Sequence, residues 1–446
     1  MISKLAFSAV IGAGACLAAD MRLIDAIKDH DRKAVERFLA AGVDTNFAQP
    51  DGATALSWAA YLNEIEIAER LLKAGAKVNS ADEYGDSPLT LACSLGNEAL
   101  VGKLLAAGAD AKSARWNGET ALMLAARSGS MPAVKMLIDA GAMLDAVDNL
   151  RGQNALMWAA AEGHSPVVEL LVKSGANPKL ASKAGFTPMV FAIQKGDAKA
   201  VAAFLAAGSD ANYTMPNGTT VLQIAVIGGK GDVASELVNA GAKVNVADAA
   251  GNTPLHIAAQ GGNLQLVKDL LAKQADPNAK STKVEANPQG GGGGGGRFQA
   301  AGEQTPLLLA AKNNREPVMR ALVAAGADPK AVAQDGTNVL MAAAGSGHVE
   351  AVRYAYELAP DVKVTTTRKS TLMHAAVTGT LGQSTQTEIC KVIQFLADKG
   401  ADLDEVDGRG RTPITLANVA PIDNAVTLLA QLIEASGKTP KQSPKR

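Results

Sequence analysis

The sequence predicts an all-α solenoid, a fold in which short two-helix repeats stack one after another. Two observations lead to this class. Similar segments recur about every 33 residues along most of the 446-residue chain. Each segment contains two short stretches whose apolar residues recur at helical spacing, separated by turns that contain Gly. A two-helix unit of this size cannot bury its own apolar face, so neighbouring units must stack and share one core.

The period is clearest when one apolar position near the start of each first helix serves as a marker. Successive markers are separated by 33, 33, 34, 33, 33, 33, 52, 33, 32 and 42 residues. A further copy, without the usual first loop, fits one period earlier at Leu23, which predicts about twelve copies between residue 21 and the low 430s. The markers are Leu56, Leu89, Leu122, Leu156, Met189, Leu222, Leu255, Leu307, Leu340, Leu372 and Ile414.

The first helix of each copy can be derived from the best-preserved segment, GNTPLHIAAQGG. Thr253 is a favourable N-cap, and Pro254 suits the first helical position, where its missing N–H is not needed. One apolar face then follows, with small residues that permit close packing of neighbours, at Leu255, Ala258 and Ala259. The next Gly ends the helix, because Gly readily adopts the left-handed conformation found there.

The second helix follows within the same copy and is apolar on one side. Val267, Leu270 and Leu271 lie on one face of the predicted helix, and a loop of the type GAD.N leads to the next copy. Both helices therefore offer an apolar face to the neighbouring copy, and the stacked copies are expected to form one continuous core.

The repeated motif, G.TPLH.AA..G....V..LL..GAD.N with a period of 33, resembles the ankyrin repeat. The resemblance covers about nine-tenths of the chain, and TPLHIAA at 253–259 has nearly the full motif. Other copies keep the shape of the motif but lack its His, as in TALSWAA, SPLTLAC, TALMLAA and NALMWAA. The opening copy and the variants rich in Leu, Ala and Trp also resemble exported bacterial proteins built of ankyrin repeats.

The resemblance implies where a partner would bind. In ankyrin-repeat proteins the loop tips and the exposed side of each first helix line a concave groove that binds other proteins. Trp58 and Trp158, which precede the Ala pair of their copies, are expected to pack between repeats instead. Carried over by position, the expected partner-contacting residues are Glu83, Tyr84, Asp86, Arg115, Trp116, Asn117, Glu119, Asn149, Leu150, Arg151, Lys183, Phe186, Met215 and Asn217.

Residues 1–19 lie outside the repeats and have the layout of a secretory signal peptide. One Lys is followed by an apolar run to about Ala15, which is short for a membrane span, and then by small residues. Cleavage after Ala19 would release a periplasmic or secreted protein. Alternatively, Cys16 resembles a bacterial lipoprotein site and would carry a lipid anchor to the envelope, although Ala13 stands where that site usually has Leu.

Two insertions and a polar tail complete the predicted organisation. The 52-residue spacing adds 19 residues to an inter-repeat loop, and its run Gly290–Gly296 predicts flexible, disordered coil over 280–302. The 42-residue spacing adds nine residues, near TLGQSTQTE, between the two helices of its copy. The sequence thus predicts one repeat block at 20–279, a second at 303–436, and a disordered basic tail at 437–446.

No pattern in the sequence indicates catalysis or a cofactor. Pairs of His at helical spacing, Cys pairs, and Walker, H-E-x-x-H and G-x-S-x-G sequences are all missing. The 43 basic and 44 acidic residues are balanced, which argues against nucleic acid as a partner. Cys93 and Cys390 fall in distant copies and are not expected to form a disulfide. The repeats leave no room for a catalytic domain, so the protein is predicted not to be an enzyme and to hold no metal.

The predicted function is therefore that of a non-enzymatic interaction module. It would act as a scaffold or regulator that binds another protein through the concave face. The alternative is an inhibitor or immunity-type protein that blocks one specific enzyme. Both functions would use the same groove, so the sequence leaves the choice between them open.

Overall fold

The computed structural model describes residues 21–284, 302–378 and 385–441. These residues contain 24 helices, and their β structure is limited to two isolated bridges. The predicted all-α class is confirmed. The predicted signal peptide, most of the predicted coil at 280–302 and the end of the basic tail lie outside the described residues.

The described residues form two compact units. Unit 1 runs to Asp210 and also includes Thr214–Gly218, whereas unit 2 comprises Ala211–Tyr213 and the residues from Thr219 onward. The Gly-rich insertion therefore lies within unit 2. The division into compact units differs from the division into repeat blocks that the sequence predicts, because helices before and after the insertion pack together.

The helices of each unit follow one another as six consecutive pairs. Unit 1 contains α1 (21–28), α2 (Arg32–Ala40), α3 (Ala55–Tyr61), α4 (Ile65–Lys73), α5 (Pro88–Ser94), α6 (Glu98–Ala106), α7 (Ala121–Ser128), α8 (Met131–Asp139), α9 (Ala155–Glu162), α10 (Ser165–Lys173), α11 (Pro188–Lys195) and α12 (Ala198–Ala206). Unit 2 contains α13 (Val221–Ile227), α14 (Gly231–Asn239), α15 (Pro254–Gly261), α16 (Leu264–Ala272), α17 (Pro306–Lys312), α18 (Glu316–Ala324), α19 (Val339–Ala344), α20 (Val349–Leu358), α21 (Leu372–Thr378), α22 (Gln386–Asp398), α23 (Pro413–Val419) and α24 (Asp423–Ala435).

The core of each unit forms where successive first helices pack against each other. In unit 1, α5 contacts α7, α7 contacts α9, and α9 contacts α11. In unit 2, α15 contacts α17 directly, so the packing continues past the insertion. The marker positions other than Ile414 are buried, as at Leu89, Leu122 and Leu156. The Ala pairs of the motif let the helices approach closely, and the Leu side chains fill the space between repeats.

Short polar side chains start most of the first helices. Thr120 precedes α7, and its hydroxyl accepts a hydrogen bond from the backbone N–H of Met123 at 3.2 Å. The copy at Thr253 uses a different arrangement, since the ring Nδ1 of His256 accepts hydrogen bonds from the Thr253 N–H (3.1 Å) and hydroxyl (2.9 Å). The Nε2–H of His256 then donates to the carbonyl of Gln304 at 3.0 Å. The His thus ties its helix to the following loop.

The same His arrangement corrects one marker. The Nδ1 of His374 accepts from the Thr371 N–H at 3.2 Å, as His256 does from Thr253. The residue equivalent to Leu255 is therefore Met373, and the prediction that placed Leu372 there is wrong by one position. With Met373 as the marker, the spacings of 32 and 42 residues become 33 and 41. Leu372 stands where the motif has Pro, and because it is itself an apolar residue it resembles the marker.

Asn side chains in the inter-repeat loops hold one repeat to the next. The Nδ2 of Asn79 donates to the carbonyl of Gly108 at 3.1 Å, and its Oδ1 accepts from the N–H of Asp110 at 2.9 Å. These bonds satisfy backbone groups at the end of the second helix of the following repeat. The same pair of bonds is made by Asn46, Asn212, Asn245 and Asn278.

The described residues next to the Gly-rich insertion form the base of an inter-repeat loop, so the predicted disordered coil over 280–302 does not include Ser281 and Thr282. Before the insertion, the N–H of Ser281 donates to Gln304 at 2.9 Å, and the N–H of Thr282 donates to Ala250 at 2.9 Å. A Cβ added to Gly302 would lie 2.6 Å from the backbone N of Val284, so the chain returns close to the point where it leaves. The inserted residues 285–301 lie outside the described residues.

Candidate partner-binding surface

The loops between repeats, called fingers below, are joined at their tips in unit 1 by a row of backbone hydrogen bonds. The N–H of Trp116 donates to the carbonyl of Tyr84 at 3.0 Å, and the N–H of Asn149 donates to Asn117 at 2.8 Å. The N–H of Lys183 continues the row by donating to Arg151 at 2.9 Å. The tips are therefore held in a fixed order, and their side chains project from a rigid backbone.

Glycine makes this close approach of the tips possible. Gly85 has φ +78°, and a Cβ at this position would lie 2.9 Å from the backbone N of Trp116. Any other residue would clash with the next finger and would also be strained by the positive φ. The recurring tip Gly thus sets the spacing of the fingers as well as the shape of each turn.

Three large apolar side chains stand exposed on three successive tips. Their exposed fractions are 56% for Tyr84, 66% for Trp116 and 63% for Leu150. Leu150 owes its position to the single 34-residue spacing, which lengthens its turn by one residue. In that turn the N–H of Gly152 donates four residues back, to Asp148, whereas Gly118 donates three residues back, to Arg115. Tyr84, Trp116 and Leu150 are called the apolar tips below.

Arg115 is one of the predicted partner contacts, but its guanidinium is held by one carboxylate of its own finger and one of the preceding finger. Its Nε donates to Asp86 at 2.7 Å and its Nη1 donates to Glu119 at 3.1 Å. Burial alone would lower the pKa of Arg115, but the hydrogen bonds and charges of the two carboxylates outweigh it and raise the pKa. Asp86 and Glu119 are committed to the same cluster, which joins two successive fingers.

Met215 is buried, with 8% of its surface exposed, so the prediction that places it on the exposed tip surface is wrong. The carbonyl of Met215 accepts from the N–H of Gly218 at 2.8 Å, which makes Met215 the first residue of its tip turn. Asp148 and Ser182 begin their turns in the same way and are buried too. The first turn residue faces inward, and the residues that follow it project outward.

The remaining predicted residues lie beside the apolar tips in unit 1. Arg151 is exposed, and the Nζ of Lys183 donates to the carbonyl of Asn149 at 2.6 Å. The Oδ1 of Asn117 accepts from the N–H of Glu119, so this side chain shapes its own turn. Phe186 packs against a neighbouring aromatic ring, that of Phe191, at 5.6 Å between ring centroids.

A depression of about 340 Å³ adjoins the tips and is lined by residues from three first helices and two fingers. Trp158 of α9 lies in it, with the guanidinium of Arg127 stacked 5.0 Å from its ring centroid. The full lining, called the Trp158 depression below, comprises Glu119, Arg127, Asp148, Leu150, Arg151, Gln153, Trp158, Ala161, Glu162 and Phe191. Trp158 therefore combines packing between repeats with a surface on the depression.

Several residues of this depression were not among the predicted contacts. Arg127, Glu162 and Phe191 lie on first helices, whereas the predicted contacts are residues of the tips. Phe191 directly precedes the first Ala position of its copy, as Trp158 does in the copy 33 residues earlier. That position, read across successive copies, is the sequence signal that could have identified the floor of the depression.

Within the described ranges, no group of three or more His, Cys, Asp or Glu side chains is placed to hold a metal ion. Burial raises the pKa of the Cys93 thiol to about 12, so this Cys is a packing residue and not a nucleophile. No helix in the part of the chain that the structure describes is long and apolar enough to cross a membrane. The tips and the Trp158 depression remain as the candidate site.

Comparison with known families agrees with the repeat motif. The family model described as ankyrin repeats, in three copies, matches residues 23–115, 96–182, 187–281 and 307–407. These matches cover most of the chain, including all the apolar tips and the whole Trp158 depression. No curated protein shows significant similarity to the chain.

Proposed function

Because the chain belongs to the ankyrin repeat family, whose repeats generally bind other proteins, we propose that unit 1 binds a protein partner through the apolar tips and the Trp158 depression. In this proposal the protein acts as a scaffold or regulator and performs no catalysis. The observation that carries the proposal is the exposure of Tyr84, Trp116 and Leu150 on three successive, hydrogen-bonded tips.

The composition and rigidity of this surface both favour binding. Trp and Tyr are the residues that most often dominate binding energy at protein interfaces, and large exposed apolar side chains in one patch commonly mark such sites. The backbone bonds between the tips fix the positions of Trp116 and its neighbours before a partner arrives. Less conformational entropy is then lost on binding, which leaves more of the contact energy as affinity.

The experiment compares the wild-type protein with the double variant Trp116→Ala, Leu150→Ala as bait in a pull-down from envelope and soluble fractions. Partners are identified by mass spectrometry, and the purified partner is then titrated calorimetrically. The double variant should weaken binding by at least about 2 kcal/mol, the usual size of a hot-spot loss. Its melting temperature should be unchanged, since both side chains are exposed.

Met143→Ala provides the matched control. Met143 is also a large exposed apolar residue of unit 1, but it lies in the loop after α8, outside the tips and the depression. Wild-type affinity is expected for this variant. Equal binding by the wild type and the tip variant would contradict the proposal, as would a loss of binding confined to Met143→Ala.

Export to the periplasm or beyond remains a proposal that rests on the layout of residues 1–19. N-terminal sequencing of the protein from its native host tests it directly. A mature chain that begins at Asp20 would support cleavage by the ordinary signal peptidase, whereas a lipid-modified Cys16 would support the envelope anchor. Recovery of the intact N-terminus, with Met1 present, in the cytoplasm would contradict export.

A further inference from the structure

The Trp158 depression has hydrogen-bond donors that lack acceptors. The side chain of Arg151 makes no hydrogen bond or ion pair with the described residues, and the guanidinium of Arg127 stacks on Trp158 without a carboxylate partner. The indole Nε1–H of Trp158 is buried and has no acceptor in the described part of the chain. Each guanidinium offers five N–H donors in a planar array, so the surplus of donors is large.

Two of the three carboxylates around the depression are already occupied. Glu119 is bound by Arg115 at 3.1 Å. The carboxylate of Asp148 accepts from the backbone N–H groups of Leu150 at 2.9 Å and Gln153 at 2.8 Å, and it also accepts from that of Arg151. Glu162 is the one carboxylate of the lining without a bound partner in the described residues. Glu162 makes no hydrogen bond or ion pair with Arg127, Arg151 or the indole of Trp158 in the described residues, so these donors remain without an acceptor.

Comparison with the other motif Trp shows that the missing acceptor is specific to this repeat. The indole N–H of Trp58 donates to the side-chain oxygen of Gln49 at 2.8 Å. Gln49 begins its tip turn, the position that Asp148 occupies in the longer turn. Because the carboxylate of Asp148 is committed to its own finger, Trp158 is left without the acceptor that Trp58 has. A buried donor without an acceptor costs stability and calls for an explanation.

We infer that the Trp158 depression binds the carboxylate of an Asp or Glu side chain in an extended segment of the protein partner. This inference rests on the proposed function and specifies which chemistry the partner must present. The guanidinium groups of Arg127 and Arg151 would each donate to the carboxylate, and a small rotation of the Trp158 ring on binding would let its buried indole N–H donate to the same group. The apolar tips would hold the apolar residues of the same segment.

A carboxylate fits this depression better than a phosphate group does. Arg127 is stacked on an aromatic ring, which orients its planar N–H edge for a bidentate bond to a planar acceptor. Glu119, Asp148 and Glu162 line the same space. Their negative charges disfavour a dianionic phosphate more strongly than a carboxylate, which carries a single charge.

The test begins with selection of 12-residue linear peptides from a random display library on the full-length protein. The selected peptides should contain an Asp or Glu at a fixed distance from a large apolar residue. A synthetic peptide in which that acid is changed to its amide should bind the wild type at least about tenfold more weakly. The same change should alter binding to the variant Arg127→Gln, Arg151→Gln by less than about twofold, because the acid has lost its partners.

The matched control replaces two exposed cations of unit 1 outside the depression, Arg37→Gln and Lys135→Gln. This variant should keep the full preference for the acid. Arg151→Gln alone is the second test variant, and it should fold normally because the Arg151 side chain makes no hydrogen bond or ion pair with the described residues. An equal effect of the acid-to-amide change on wild type and on the depression variants would overturn the inference.

The outcomes separate the inference from the proposed function. Selected peptides that lack a common acid but lose binding to Trp116→Ala, Leu150→Ala would overturn the inference and leave the proposed function standing. Failure to obtain any peptide that depends on the tips or the depression would count against both. Competition by phosphoserine peptides that is stronger than competition by the matched acidic peptides would overturn the choice of a carboxylate.

The indole N–H signals of a ¹⁵N-labelled protein locate the bound acid independently. The chain contains three Trp residues, so three indole signals are expected. An acidic peptide should shift the signal of Trp158 and leave that of Trp58, which already donates to Gln49, in place. An unchanged Trp158 signal in the complex would place the acid elsewhere and overturn the inference.

Discussion

The position of a residue within its tip turn decides whether its side chain faces the stack or the solvent. Arg115 and Met215 begin their turns and face inward, whereas Trp116 comes one residue later and is exposed. The backbone of a tight turn fixes these directions, so residue type does not change them. Trp116 therefore remains a candidate contact residue, whereas Arg115 is a structural residue that joins two fingers.

Single substitutions at Arg115 and Trp116 should separate these two roles. Arg115→Ala should lower the free energy of unfolding by about 1–3 kcal/mol, because the carboxylates of Asp86 and Glu119 lose their partner in a partly buried cluster. Trp116→Ala should change it by less than about 0.5 kcal/mol, since the side chain is exposed. Urea denaturation of both variants measures the difference. A loss for Arg115→Ala as small as that for Trp116→Ala would show that the cluster adds nothing to the free energy of unfolding.

Two buried His residues make the stability of unit 2 depend on pH. Burial lowers the pKa of His256 and of His374 below the ordinary 6.5, and backbone hydrogen bonds only partly oppose this. The unfolded chain therefore takes up protons first as the pH falls. The stabilisation is complete above the ordinary pKa and is lost progressively as the pH drops below it, toward the lowered pKa of the folded state.

A non-titrating replacement for these His side chains already exists in the protein. The Oε1 of Gln223 accepts from the N–H of Thr220 at 2.9 Å, as the Nδ1 of His256 does from Thr253. The variant His256→Gln, His374→Gln should therefore fold and should lose less stability than the wild type between about pH 7.5 and about pH 5.5. Urea denaturation at both pH values measures this. An identical loss in both proteins would refute the assignment.

At the scale of the secondary-structure elements, the contacts between successive repeats come from few residue types at fixed positions. The Asn clamps are an example, because each Asn satisfies backbone groups of the next repeat that its own helix leaves free. The clamp is missing at Lys112, which occupies the position of Asn79 one period later. The loop at Lys112 has the same turn as the loop at Asn79, but Lys has no amide group to make the two hydrogen bonds of the clamp.

Replacing Lys112 by Asn should therefore stabilise unit 1. The new amide would lie near the carbonyl of Gly141 and the N–H of Met143, which are 29 and 31 residues ahead, as for Asn79 and its partners. Two hydrogen bonds are expected to add about 1–2 kcal/mol to the free energy of unfolding. Lys112→Ala is the control that removes the Lys without adding the amide. Equal stability of the two variants would show that no clamp has formed.

At the scale of the whole molecule, the Gly-rich insertion should make little difference to folding. The hydrogen bonds of Ser281 and Thr282 hold the two ends of the insertion close together. A shorter connection can therefore join these ends without moving them. Replacing residues 285–301 by Gly-Gly should change the melting temperature by less than about 2 °C, because the entropic cost of a loop grows only slowly with its length. A calorimetric melt of both proteins checks this. A fall of several degrees would mean that the inserted residues contribute to the stability of unit 2.

The function proposed for the whole molecule depends on how the repeats differ and not on what they share. The shared motif builds both units, yet exposed aromatic residues on successive tips occur only in unit 1 among the described residues. Unit 2 carries the two motif His residues and the insertion. Unit 1 is therefore expected to determine the affinity for the partner, and unit 2 is expected to determine the response of stability to pH.

The sequence by itself determined the fold, because a 33-residue period, helix caps and apolar faces are local patterns that recur in every copy. It also placed Tyr84, Trp116 and Leu150 on the tips, since turn residues can be recognised from Gly and their spacing. Only the tertiary structure decided that Met215 is buried and that Arg115 is paired, because it showed at which residue each tip turn begins and brought Asp86, of the preceding finger, next to Arg115. The same holds for the orphaned indole of Trp158: its missing acceptor follows from an extra turn residue and a committed carboxylate, which no single repeat reveals.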